Sequence, residues 1–150
     1  MYFKILIILF ILLYQNVAYS KATDKNDFNQ KYLSNYFSAL VSAGNQNNED
    51  AIVFFNSSKF LINKHDNFLR EYVFSLILDG QVKKAINQIK RSDNHNFFGA
   101  NLLLTLDSII KKKYKQAEKR LNKLLKFQEN GTYEFVIIKT LESYNYLFLN

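Results

Sequence analysis

Residues 66–89 read DNFLREYVFSLILDGQVKKAINQI and contain the clearest helical pattern in the chain. Large apolar residues recur in this stretch at spacings of three and four, which places them on one face of an α-helix. They are Leu69, Tyr72, Val73, Leu76 and Ile77. Gly80 follows them and tolerates the left-handed backbone that commonly ends a helix. The stretch therefore predicts a helical hairpin, with helices near 67–79 and 82–92.

The same periodicity continues on both sides of this hairpin, and no segment alternates as a strand would. Further helices are predicted near 27–43, 48–63, 96–112, 114–127 and 132–148. Gly44 and Gly80 are predicted to end first helices. The residues predicted to cap the helices that follow are Asn47, Asp66 and either Asn94 or Asn96. Because the connections are short, successive helices should be antiparallel neighbours. The chain therefore predicts an all-α fold of about three helical hairpins plus a C-terminal helix.

A small residue opens the second helix of each predicted hairpin. Ala51, Ala85 and Ala117 are separated by 34 and 32 residues. A large apolar residue stands four positions after each alanine, at Phe55, Ile89 and Leu121. A small side chain lets paired helices approach closely, and the large one a turn later fills the space beside it. This spacing indicates that the hairpins are repeats of one unit.

The repeats resemble the tetratricopeptide repeat (TPR) family, whose period is about 34 residues, and residues 66–89 match best. The resemblance covers 32–127 and implies a right-handed α–α superhelix in the domain 31–150. The implied repeats are 32–65, 66–97, 98–130 and a partial fourth at 131–150. Several features depart from the family: no repeat ends in Pro, Val73 and Thr105 replace a small residue, and the first turn (GNQNN) is longer than usual. A different α-solenoid or a plain helical bundle therefore stays open.

In TPR proteins the inner face of the first helices forms a peptide groove. Carried over position by position, the resemblance implies nine groove residues: Tyr36, Leu40, Asn67, Arg70, Phe74, Ile77, Leu102, Leu106 and Ile109. The family's carboxylate-binding pattern of Lys and Asn is missing from these positions. A groove this apolar suits an amphipathic helix, from a partner protein or from the chain's own last helix.

The N-terminus reads MYFKILIILFILLYQNVAYS over residues 1–20. It combines Lys4, an apolar run at 5–14 and small residues at Ala18 and Ser20, which is the pattern of a secretory signal peptide. The run is shorter than the roughly 20 residues that cross a bilayer. We therefore expect cleavage near Ser20, a flexible segment at 21–30 and a periplasmic or cell-envelope location. An uncut segment would act as a signal anchor.

Composition restricts the chemistry. Cysteine is absent, which excludes a lipidated Cys and disulfides. The abundance of Asn, Lys, Ile, Phe and Tyr, which have A/T-rich codons, favours a low-GC bacterial genome. No nucleophile, phosphate-loop or metal motif occurs, and His65 and His95 are read as solvated turn residues. Asp107, inside an apolar helix, is expected to face a groove or cap a neighbour. The expected protein is therefore not an enzyme and has no cofactor or metal.

The positive charge is confined to one helix. Residues 111–126 hold eight Lys or Arg and one Glu, so their net charge equals the +7 of the whole chain. A face of this helix is predicted to present Lys112, Lys115, Lys119, Lys123 and Lys126. Such a face is usually solvated, but it could also attract an anionic membrane or cell-wall polymer. Export and the lack of base-reading motifs argue against nucleic acid as a partner.

The last predicted helix, YEFVIIKTLESYNYLFLN, is apolar on nearly every face. Because terminal repeats of solenoids normally have a polar outer face, its apolar end indicates a homo-oligomer, a missing C-terminal domain or a bound partner. The residues concerned are Tyr144, Tyr146, Leu147, Phe148 and Leu149. The sequence thus favours a non-catalytic, TPR-type protein-binding scaffold in the bacterial cell envelope. The alternative is a structural assembly factor that uses the basic helix on a membrane or anionic wall surface.

Overall fold

The computed structural model describes residues 30–93, 95–129 and 132–149, so the predicted signal peptide lies outside the described residues. Over these ranges the chain forms seven α-helices and no strand. In chain order they are α1 (Gln30–Gly44), α2 (Asn48–Ser57), α3 (Phe68–Leu78), α4 (Val82–Arg91), α5 (Phe98–Ile110), α6 (Tyr114–Leu124) and α7 (Tyr133–Leu149). Two short 3-10 helices, Lys59–Leu61 and Leu125–Phe127, follow α2 and α6. Each predicted helix is present, with ends within a few residues except at α2.

The helices pack in the order of the chain. Helices α1 and α2, α3 and α4, and α5 and α6 form the three closest pairs, and each pair packs against the next. Helix α7 packs against α6. This order confirms the predicted all-α fold of helical hairpins followed by a C-terminal helix.

The three hairpin turns share one backbone conformation. Each turn spans three residues, at 45–47, 79–81 and 111–113. Its central residue has a positive φ: 62° at Gln46, 76° at Gly80 and 57° at Lys112. The amide of the next residue donates to the carbonyl five positions back in all three turns, over 2.9, 2.8 and 2.9 Å. This pair of features is the Schellman helix ending, and it recurs at the alanine spacing of 34 and 32 residues.

Two expectations for the first turn were wrong. Its positive φ falls on Gln46, and α1 continues through Gly44. The connection is also no longer than the other two, because the Gly44 position is still helical. Sequence favours glycine at a positive φ, but the hydrogen bond from the amide of Asn47 to the carbonyl of Ser42 closes this turn two residues later.

The predicted caps were only partly right. The side chain of Asn47 accepts a hydrogen bond from the amide of Asp50, which confirms it as the cap of α2. Asp66 and Asn96 are not caps, since the residues before α3 and α5 are Asn67 and Phe97, without side-chain bonds. Asn94 lies outside the described residues.

Helix α2 ends six residues before its predicted limit. The hydroxyl of Ser58 donates to the carbonyl of Phe54 over 2.8 Å, and the Ser58 amide donates to the same carbonyl and to that of Phe55. These bonds satisfy carbonyls at the end of the helix without a further α-helical turn. The chain then tightens into the 3-10 helix Lys59–Leu61.

The repeated small and large residues lie in the interior as predicted. Ala51, Ala85 and Ala117 have no exposed surface, and the large residues four positions later are buried. A cluster of aromatic side chains holds the first two hairpins together: Tyr36, Phe55, Phe68 and Tyr72, with ring centroids 5.3 to 6.3 Å apart. The Tyr72 hydroxyl donates to the side-chain oxygen of Asn56 over 2.7 Å. Burial raises the pKa of Tyr72 to about 12, so the hydroxyl keeps its proton at physiological pH.

The interior has two parts. The larger core joins the first two hairpins and extends to Ala100 and Leu104 on α5. The smaller core joins α6 and α7 through Leu121, Leu124 and Ile138. Partly buried side chains complete the smaller core: Phe98, Leu102, Phe127 and Leu141. The boundary between the two cores runs along α5, and a cavity lies beside the start of this helix.

Candidate partner-binding groove

A cavity of about 580 Å³ lies between α3 and the start of α5. Its lining side chains are mainly apolar and aromatic: Val73, Phe74, Ile77, Phe97, Phe98 and Phe127. Arg70, Glu71, Asn96 and Gly99 complete the lining. Cavities of a few hundred Å³ with an apolar wall and a few polar groups are typical of sites that receive a side chain or small molecule.

The periodicity of α3 explains which side chains reach this cavity. Arg70, Phe74 and Ile77 are spaced by four and three residues, so they share one face of the helix. The opposite face carries the buried stripe that packs in the larger core. Phe74 is 56% exposed, although it is a large aromatic residue. Its exposure at a cavity wall makes this face of α3 a candidate binding surface.

The second wall comes from the junction of two repeats. Phe97 and Phe98 stand at the start of α5, and Phe127 ends the 3-10 helix after α6. The rings of Phe98 and Phe127 meet edge to face with centroids 6.0 Å apart. Such pairs are stabilising beyond the area they bury, so this wall is held in place by its own contacts.

Two cations lie over rings of the wall. The guanidinium of Arg70 is 5.7 Å from the centroid of Phe97, and the ammonium of Lys126 is 4.8 Å from that of Phe127. Both distances are within the range of cation–π attraction, which is worth about 0.5–1 kcal/mol at exposed sites. The cavity therefore has an apolar interior, with one cation, Arg70, and one carboxylate, Glu71, among its lining groups.

The structure brings together three of the nine predicted groove residues, Arg70, Phe74 and Ile77. Asn67 is exposed at the residue before α3 and does not line the cavity. Leu106 and Ile109 are half-buried on α5, also outside the lining.

Three other predicted groove residues have side chains that pack in the two cores, so the prediction for them is corrected. Tyr36 is 3% exposed and is a core residue, because its ring stacks on Phe68 with centroids 5.4 Å apart. Leu40 packs against the larger core and Leu102 against the smaller one. None of these three side chains lines the cavity.

Sequence reasoning missed the second wall of the cavity. Phe97, Phe98 and Gly99 straddle the junction of the predicted repeats 66–97 and 98–130, and none of them is at a position that the family uses for its groove. Two adjacent aromatic residues at a repeat junction could have indicated this wall, because only one of the two side chains can face the core of its own helix. Phe127 carried no comparable signal, since it reaches the cavity through a 3-10 helix.

The predicted basic face is present on the structure. Lys112, Lys115, Lys119, Lys123 and Lys126 are all exposed. None of them takes part in the ion pairs found among the described residues. The face therefore presents positive charge to solvent.

Asp107 links two repeats. Its carboxylate accepts from the ammonium of Lys90 on α4 over 2.9 Å and also pairs with Lys111, one turn later and directly after the end of α5. Burial acts to raise the pKa of Asp107, but the hydrogen bonds and charges of Lys111 and Lys90 outweigh it and hold the pKa below its ordinary value. Asp107 therefore contacts its neighbouring helix through an ion pair, and it does not line the cavity.

Metal-binding groups and membrane-spanning helices can be assessed for the described residues. No group of three or more His, Cys, Asp or Glu side chains is arranged to hold a metal ion there. None of the helices in the described ranges is both long and apolar enough to cross a bilayer.

Comparison with known proteins assigns the chain to no family. No protein-family model matches the chain, and neither a curated protein sequence nor a solved structure matches it.

Proposed function

We propose that this protein is a non-catalytic, TPR-type scaffold of the bacterial cell envelope that holds a segment of a partner protein in the cavity between α3 and α5. The observation that carries the proposal is the half-exposed Phe74 beside Arg70 in an aromatic-walled cavity. Exposed aromatic and arginine side chains around a pocket are the residue types that dominate protein-binding hot spots. The cell-envelope location rests on the signal-like residues 1–20.

The regular turns support the TPR part of the proposal. Three turns with one hydrogen-bond pattern recur at 34 and 32 residues, against a family period of about 34. The alanines that follow the turns keep the same spacing and are fully buried. A repeat array of this kind exposes one face of its first helices, which is where Phe74 and Ile77 lie.

Selection of displayed random peptides on the purified protein tests this function. Peptides that bind the groove should lose at least about tenfold in affinity to a Phe74→Asp variant, because a charge replaces the apolar wall. Val53→Asp is the matched control, since Val53 is also 56% exposed but lies on α2 outside the cavity. Peptides that bind both variants as tightly as the unchanged protein would contradict the proposal.

The basic face of α6 favours a second candidate function, attachment to an anionic membrane or cell-wall surface. Several exposed lysines near such a surface contribute about 1 kcal/mol each, and salt screens the attraction. Flotation with phosphatidylglycerol vesicles should decrease from low to physiological salt. It should also decrease when Lys115, Lys119 and Lys123 are changed to Gln. Binding that is unchanged by these substitutions, or equal on neutral phosphatidylcholine vesicles, would exclude this candidate.

A further inference from the structure

We infer that one end of the helical array docks on an anionic bilayer. Residues 110–115 and 144–149 form this surface, named here the docking end, with apolar side chains in the membrane interface and lysines among the lipid headgroups. The inference rests on the second candidate function, attachment to an anionic surface. It goes further because it names the part of the molecule that touches the lipid and adds apolar insertion to charge attraction.

The two segments of the docking end are held together by side-chain contacts. The rings of Tyr114, the first residue of α6, and Phe148, near the end of α7, stack with centroids 5.3 Å apart. The side-chain amide of Asn145 donates to the Tyr114 carbonyl over 3.2 Å, and Asn145 is almost fully buried. These contacts place the end of α7 beside the turn between α5 and α6.

Large apolar side chains are exposed at this end. Tyr144, Leu147 and Phe148 share one face of α7, because they are three and four residues apart, and the rings of Tyr144 and Phe148 pack with centroids 4.9 Å apart. Leu147 is 73% exposed, and Ile110, the last residue of α5, is 79% exposed. Exposed apolar side chains grouped in this way mark a surface that contacts a protein or a membrane.

Lysines adjoin these apolar groups. A depression of about 470 Å³ is lined by Lys112, Lys113, Tyr114, Lys115, Gln116, Phe148 and Leu149, and its lining includes no acidic residue. The three lysines are exposed, and no ion pair among the described residues involves them. Lys111 differs from them, since it pairs with Asp107. The docking end therefore joins unpaired ammonium groups to aromatic and aliphatic side chains.

Two carboxylates lie one turn away along the helices. Glu118 and Glu142 line a smaller depression of about 190 Å³ between α6 and α7, which shares Leu149 with the first one. Glu142 pairs with Lys139. Glu118 is exposed and has no ion pair in the described ranges. Three unpaired ammonium groups against one unpaired carboxylate leave this end positive.

This combination suits a bilayer better than a protein partner. Apolar side chains in the interface and lysines near anionic headgroups both strengthen the binding of a protein to a membrane. Stable protein interfaces bury about 800 Å² on each partner, whereas the docking end offers a few side chains on one turn and the end of one helix. A second copy in a two-fold contact would also bring the same lysines together, which is repulsive.

A single introduced tryptophan tests apolar insertion, because the chain contains no tryptophan. Leu147→Trp places the probe in the docking end, and Val53→Trp places the matched control on α2, at a position that is also exposed. On phosphatidylglycerol vesicles with brominated acyl chains, the Leu147→Trp emission should shift to shorter wavelength and decrease at least about twofold. The Val53→Trp emission should stay nearly unchanged. Because the probe reports one position, membrane contact by residues 1–20 does not imitate this result.

The lysines are tested in the same Leu147→Trp background. Changing the three lysines of the depression to Gln together should raise the lipid concentration at half-maximal response about tenfold, with a smaller effect at high salt. The matched control removes three charges further along α6, by Lys119→Gln, Lys123→Gln and Lys126→Gln, and should raise it less than about threefold. Circular dichroism checks that every variant keeps its helix content.

The outcomes separate this inference from both candidate functions. Flotation with phosphatidylglycerol vesicles that depends on the lysines further along α6, without any response of Leu147→Trp, would overturn the inference and leave attachment through the basic face standing. Absence of all salt-sensitive vesicle binding would remove both and leave the groove, which is tested through Phe74. An equal Leu147→Trp response to polyglutamate or polyphosphate without lipid would overturn the inference in favour of an acidic protein or an anionic polymer.

Discussion

Asp107 is an acid within the otherwise uncharged helix α5, and its two cations lie on different sides of a repeat boundary. Lys90 belongs to the second hairpin and Lys111 follows α5 in the third. The sequence placed Asp107 on a helix and near a neighbouring helix, because helical periodicity is local. It did not identify Lys90 as the partner, since that contact depends on how two hairpins stack.

We expect Asp107→Asn to lower the free energy of unfolding by about 1 kcal/mol at pH 7, because two charge-assisted hydrogen bonds are lost from partly exposed lysines. The pKa of Asp107 is lowered in the folded state, so its contribution is present above the unfolded pKa of about 3.9 and is lost as pH falls through the folded value. Urea unfolding at several pH values should therefore show the two proteins converging as the pH falls from about 3.9 through the lower folded pKa of Asp107.

The matched control for that experiment is Asp93→Asn, an exposed loop acid. It should leave stability unchanged at pH 7. A constant difference between the unchanged protein and Asp107→Asn down to acid pH would show that the ion pairs are not its cause.

The three turns show what sequence can and cannot predict about an element. Glycine predicted the ending of α3 correctly, because Gly80 takes the positive φ. Gln46 and Lys112 take the same conformation without being glycine, at a cost of roughly 1–2 kcal/mol each for the left-handed backbone. Residue preference pointed to Gly44 in the first turn, whereas the turn closes two residues later, with the positive φ at Gln46 and a hydrogen bond from Asn47 to Ser42. Residue type alone therefore does not locate a turn of this kind.

Substitutions of Gly80 and Gly44 distinguish a glycine that is needed for a positive φ from one that lies in a helix. Gly80→Ala should lower stability by about 1 kcal/mol, because its φ of 76° is unfavourable for alanine although no atom lies within 4 Å of the added carbon. Gly44→Ala should leave stability unchanged or raise it by up to about 1 kcal/mol, since Gly44 is helical and has equal room. Chemical denaturation measures both, and equal losses would contradict the assignment.

At the scale of the molecule, equivalent positions have different surroundings. Tyr36, Arg70 and Leu102 occupy one position of successive repeats, 34 and 32 residues apart. Tyr36 is buried under Phe68, Arg70 is exposed at the cavity, and Leu102 packs in the smaller core. A position-by-position transfer from a repeat family treats them alike. Helical periodicity, which is local, predicted the all-α hairpins. The transfer from the family brought only three of its nine residues to the cavity, because the cavity walls form where two cores meet.

The division into two cores predicts uneven stability. Ile138→Ala should cost about 2–5 kcal/mol, since Ile138 is fully buried in the smaller core. In a stacked array each unit contacts mainly its neighbours, so the loss should accelerate amide hydrogen exchange in α6 and α7 much more than in α1 to α4. The control is Leu76→Ala in the larger core, which should accelerate amide exchange more in α1 to α4 than in α6 and α7. Uniform acceleration along the chain by Ile138→Ala would show a single cooperative unit.

The shared turn geometry makes the central residue of each turn a common point for engineering. Asp-Gly-Gln at 79–81, Asn-Gln-Asn at 45–47 and Lys-Lys-Lys at 111–113 close with the same hydrogen bonds. Glycine could therefore be placed at the centre of all three turns while the flanking residues stay, which keeps the Asn47 cap and the pair between Lys111 and Asp107. At Lys112 it would relieve the backbone and remove one positive charge beside α6. The backbone strain of a joint can thus be adjusted separately from its caps and ion pairs.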